Sequence, residues 1–155
     1  MADYAVKINR SDNKRQIWIV LISAASLVAG CCIYAFVRVT PTTIEDCIRK
    51  HFDLPSFMDY SIHIEHGPTR LLINSYAADA LWMLSFSTGC YLLFADGSNV
   101  SRRRNNCFVL AAGAGIFLES LQAAGFIYGT YDFLDILIFI VFAYVGTYIA
   151  SKLGQ

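Results

Sequence analysis

Four long apolar blocks, at residues 17–37, 77–94, 107–128 and 133–150, constrain this chain more than any other feature. Each is about the ~20 residues that a helix needs to cross a ~30 Å hydrocarbon core at ~1.5 Å per residue. Inside lipid, backbone N–H and C=O groups have no water partner, so a crossing segment must satisfy them within a helix or a closed barrel. The blocks are continuous and lack the ten-residue alternation of barrel strands. The expected fold is therefore all-α: a polytopic membrane protein with four transmembrane helices, one domain over residues 1–155, and an outer loop at 38–76.

Composition supports this class. The chain is 56% hydrophobic and 15% charged, against about 25% charged in a soluble domain. Its formal net charge of zero argues against a nucleic-acid partner, which would want a basic surface. Of five cysteines, Cys31, Cys32, Cys90 and Cys107 lie in or beside apolar blocks and read as small packing residues, while Cys47 falls in the loop. No disulfide framework is expected. The first block follows Lys7, Arg10, Lys14 and Arg15, and Val28-Ala-Gly-Cys31 resembles a lipoprotein processing box. The apolar run nevertheless continues to Val37, beyond the ~7–15 residues of a signal sequence, so the expectation is an anchoring helix.

Basic residues orient the chain. Lys7, Arg10, Lys14, Arg15, Arg102, Arg103, Arg104 and Lys152 would share one side; Arg38, Arg49, Lys50 and Arg70 are spread over the long loop on the other. The positive-inside rule places both termini and the arginine turn in the cytoplasm. Asp79 then lies at the outer end of the second helix, and Asp132 and Asp135 open the fourth. Glu119 falls twelve residues into the third block, roughly 18 Å along it, with Gln122 on the same face. These acidic side chains are expected to collect in the outer leaflet.

Structural roles compete with functional ones. Asp132 suits an N-cap, and Asp135 and Asp79 suit the positive end of a helix dipole. Glu119 sits mid-block, where a carboxylate costs a few kcal/mol, and that makes it a candidate site residue; Glu119 and Gln122 as a pair making structural interhelical hydrogen bonds is the structural counterpart. Four chemistries fit the cluster: protonated carboxyls, a divalent cation on oxygen ligands such as Asp132 and Asp135, a cationic or polyhydroxyl head group, or pairing with Arg38 or Arg70. No dedicated cofactor is expected.

In the outer loop, Thr42 and Glu45 form a capping-box pattern opening an amphipathic stretch with Ile44, Cys47, Ile48 and Phe52 on one face. Residues 60–66 alternate like a short strand. Period-two spacing puts His63 and Glu65 on one face and His66 on the other, which disfavours a zinc site. In the third block, Ala111 and Gly115 have the small-xxx-small spacing of close helix packing. No nucleophile elbow, phosphate loop or HExxH motif occurs.

The run from Glu119 to Leu137, with Glu119, Gln122, Gly129, Thr130, Asp132 and Asp135, resembles the signature of the VanZ-like membrane proteins, as does the stretch bearing Asp79 and Trp82. The resemblance covers about residues 74–146; where family members often carry Lys and His after the second-helix Asp, this chain has Ala80 and Met83. It implies a protein of the bacterial plasma membrane and cell envelope, linked to glycopeptide resistance, without supplying a reaction. The leading expectation is a non-catalytic site of Asp79, Trp82, Glu119, Gln122, Asp132 and Asp135 for a lipid-linked or glycopeptide head group. The alternatives are a metal-dependent intramembrane hydrolase or transferase with Glu119 as general base, and a cation-coupled transporter. Membrane lipids are the expected partners, and transport would require an oligomer.

Overall fold

The computed structural model describes residues 10–36, 73–94, 99–127 and 131–154. The expected loop elements, from the Thr42 capping box to His63, Glu65 and His66, lie outside the described residues, as does Cys47. Among the described residues there are four α-helices and no strand: α1 (Arg10–Phe36), α2 (Ala78–Leu93), α3 (Val100–Ala123) and α4 (Phe133–Leu153). A π-helical turn, Ile73–Ala77, leads into α2. Three helices are long and apolar enough to cross a membrane, over Lys14–Ile33, Val100–Ala123 and Phe133–Leu153. The 16 residues of α2 cover only ~24 Å by themselves, so its helical length depends on the π turn before it.

The arrangement inverts the soluble pattern. Large apolar side chains such as Trp18, Val28, Phe117 and Val141 point outward, and most buried positions hold small residues such as Ala78, Ala80, Ala111, Ala112, Ala143, Ala150, Ser87, Thr88 and Thr147. Lipid gives no hydrophobic drive for helices to associate; small residues that let backbones approach supply dispersion contacts instead. α1 packs on α2, α2 on α4, and α4 on α3. Gly146 shows how close this is, since a Cβ there would stand 3.1 Å from the carbonyl oxygen of Leu84 and collide with Ser87. Hydroxyls join the seams: Ser23 donates to the Ser85 carbonyl at 2.9 Å across α1–α2, and Ser87 reaches the Phe142 carbonyl at 3.5 Å across α2–α4. Ala111 and Gly115 do face inward, with Phe139 and Met83 against Gly115.

The third helix departs from its apolar block at both ends. It begins at Val100, because the Asn99 side chain accepts from the Ser101 amide at 3.0 Å and caps it. Arg102, Arg103 and Arg104 are thus helical and not a connecting turn. It stops at Ala123 and not at 128. Gly125 at φ 73° lets its own N–H bond the Gln122 carbonyl and the Phe126 N–H bond the Leu121 carbonyl, a Schellman end. Glu119 consequently lies about one turn from the C-terminus of α3, not in mid-helix. α1 likewise starts before its apolar block, at Arg10, and α4 runs on to Leu153.

Alternating helix directions sort the charges. Arg15 and Gln16 of α1, Tyr91 and Leu92 of α2, Arg103 of α3 and Gly154 after α4 surround one cavity, so these four helix ends meet. Arg102, Arg104 and Lys152 belong to the same end. Asp79, Glu119, Asp132 and Asp135 lie at the other.

Candidate functional site

The acidic end is organised around Asp132. Its backbone is extended (φ −132°, ψ 122°), and its Oδ1 accepts from the Leu134 amide at 2.9 Å, the N-cap expected of an aspartate before an apolar run. Asp135 occupies the first turn of α4, its amide bonded to the Asp132 carbonyl at 3.1 Å and its Oδ1 shielded from solvent. The second carboxylate oxygen of Asp132 does something a cap does not require: Oδ2 accepts from the Tyr76 hydroxyl at 3.1 Å. The Asp132 amide in turn donates to Glu119 Oε2 at 3.4 Å. One residue therefore links the π turn, the end of α3 and the start of α4.

Glu119 is 3% exposed, the one carboxylate among the buried polar residues of the described chain. Asp79, in the first turn of α2, and Asp132 are the charges that act on it. Asp132 and Asp135 act in the same way on Tyr76. Tyr76 precedes the apolar span, and the hydrogen bond to Asp132 holds its phenol above the ordinary tyrosine value, with desolvation and the two negative charges adding to the effect. The structure thus brings together Asp79, Glu119, Asp132 and Asp135.

Trp82 and Gln122 stand differently. The Trp82 indole is turned to α1, where a Cβ on Gly30 would lie 2.5 Å from its Cδ1. Asp79, one turn before Trp82 in the first turn of α2, is the residue of this helix whose charge acts on Glu119. Gln122 is half-buried in the last turn of α3, its carbonyl committed to the Gly125 amide at 2.9 Å. Tyr76 escaped the sequence reading. The available signal was its position three residues before Asp79, which shares a helical face only if helix begins upstream of the apolar block.

No group of three or more His, Cys, Asp or Glu side chains is arranged to hold a metal among the described residues. The geometry instead offers carboxylate acceptors and one phenol at a helix-end junction, a set suited to hydroxyl or ammonium donors. Comparison of the chain with protein-family models, with curated proteins and with solved structures finds no match.

Proposed function

We propose that this chain is an integral membrane protein of the VanZ-like type, with residues 77–94 as a fourth span. In this reading the basic end and both termini lie in the cytoplasm of a bacterial plasma membrane, by the excess of Lys and Arg there. The acidic end lies in the outer leaflet and recognises a cationic or polyhydroxyl head group of a lipid-linked or glycopeptide envelope ligand, a role that would connect it to glycopeptide resistance.

The observation that carries the reading is the position of Glu119. Capping and the helix dipole account for Asp132, Asp135 and Asp79 at helix starts. Glu119 lies near the negative end of α3 and is buried, where dipole and desolvation both oppose a carboxylate. A group kept in that position against its local energetics is a mark of a working site.

The test pairs ligand identity with phenotype. Lipid and glycan co-purified with the wild-type chain would be compared by mass spectrometry with those of Glu119→Gln and Asp132→Asn, alongside teicoplanin susceptibility of the producing cells. The expected result is loss of a specific envelope species and of protection in both variants. Identical co-purified species and unchanged susceptibility would reject the reading. Reporter fusions at Asn99 and Tyr131 test the orientation, with cytoplasmic signal expected from the first alone.

A further inference from the structure

A second polar site lies at the opposite, basic end. Arg15, Gln16, Ile19, Tyr91, Leu92, Arg103 and Gly154 line a partly open cavity of about 140 Å³. Among the described residues its lining includes two arginines and no carboxylate. Arg103 is held rigidly: its Nε donates to the Tyr91 carbonyl at 3.0 Å, its Nη2 bonds the same oxygen, and its guanidinium stacks 3.9 Å from the Tyr91 ring centroid. Tyr91 is itself 1% exposed and packed with Ile19, Cys90, Cys107 and Ala150. A guanidinium has five N–H donors, and two bonds to one oxygen leave an edge for another acceptor.

This differs from an arginine that merely extends to water. A snorkelling side chain keeps its rotamers and a hydrated head. Here the cation is half-buried, stacked and oriented before any ligand arrives, with the Arg15 charge and the Gln16 amide at the same cavity. Pre-organised donors with a planar fork match an oxyanion that accepts from several N–H groups. Size narrows the ligand. The cavity is smaller than the ~300–1,000 Å³ of sites for drug-sized molecules, which favours a compact anion.

We propose that the basic end binds a phosphate oxyanion between Arg15 and Arg103. An acidic phospholipid of the adjoining leaflet and soluble phosphate share this chemistry. The site is independent of the acidic end and of any ligand there.

Delipidated full-length chain in detergent is titrated with phosphatidylglycerol, with phosphatidylcholine and with inorganic phosphate, and binding is read by native mass spectrometry and thermal shift. Wild-type chain should retain phosphatidylglycerol over phosphatidylcholine if a lipid supplies the anion, or be stabilised by inorganic phosphate alone if the soluble ion does. Either result supports the site. Arg15→Gln should weaken binding about fivefold, the effect of one surface cation on an anionic lipid. Arg103→Gln should weaken it more. Because Arg103 also braces Tyr91, the Arg15 variant, which leaves that brace intact, decides the matter if Arg103→Gln fails to fold. Arg102→Gln with Arg104→Gln, off the cavity, should bind as wild type. No binding of any probe, equal binding by Arg15→Gln and wild type, or equal losses from the Arg102/Arg104 and Arg15 variants would overturn the proposal.

Discussion

The backbone N–H of Asp132 meets the buried carboxylate of Glu119, Oε2 lying 3.4 Å away, so the start of α4 is tied to the end of α3 by a group that neither helix needs for itself. At that length the bond is weak for N–H···O, and its worth lies mainly in giving the buried Glu119 carboxylate a partner. Glu119→Ala should therefore lower stability by about 1 kcal/mol, whereas Glu119→Gln keeps an acceptor oxygen and should lie close to wild type in thermal unfolding. Equal destabilisation by both would mean that charge, not the acceptor, matters at this position.

Asp132 carries a cap and a cross-link on separate oxygens. Asp132→Ala removes both and should cost at least the ~0.5–2 kcal/mol of a lost N-cap, while Asp132→Asn retains the capping oxygen and should cost less. Circular dichroism melts in detergent separate the two. A melting temperature for Asp132→Ala equal to wild type would show that α4 is held by packing alone.

Tyr76 supplies a pH signature. Its folded-state pKa is raised, so the contact with Asp132 contributes stability fully below the ordinary tyrosine value of 10.0 and loses it as pH climbs through the raised value. Wild type should melt above Tyr76→Phe at neutral pH, and the gap should close at strongly alkaline pH. A gap that persists there would place the contribution in ring packing.

Two glycines should respond with opposite sign to alanine. At Gly146 the new methyl meets Leu84 backbone and Ser87, and overpacking of about 1–3 kcal/mol is expected, separating α2 from α4. At Gly113 nothing lies within 4 Å, so alanine should stabilise α3 by about 0.5–1 kcal/mol through helix propensity. Thermal unfolding of the two variants checks both signs. A stabilised Gly146→Ala would contradict the close α2–α4 approach.

The all-helical class and three of the membrane-length helices were legible from residue order alone, because continuous apolar runs of that length permit few other structures. Helix ends were less legible. Val100–Asn106 is polar, so hydropathy placed it outside α3, yet the Asn99 cap and backbone bonding extend the helix through it. The shift moved Glu119 from mid-helix to the last turns. Tyr76 was hidden for a related reason: a π turn of mixed residues does not announce itself by periodicity.

By itself the sequence determined that this chain is helical, apolar over membrane lengths, and rich in carboxylates where apolar blocks begin and end. Transfer cost and backbone hydrogen bonding act residue by residue, so one dimension suffices for them. Only the tertiary structure decided that Asp132 bonds Tyr76 and Glu119, that Trp82 turns to Gly30, and that Arg103 is clamped on Tyr91 beside Arg15. Those contacts depend on how helices are rotated against each other. That rotation is set by which small residues allow close approach, a property of pairs of helices that no single stretch encodes.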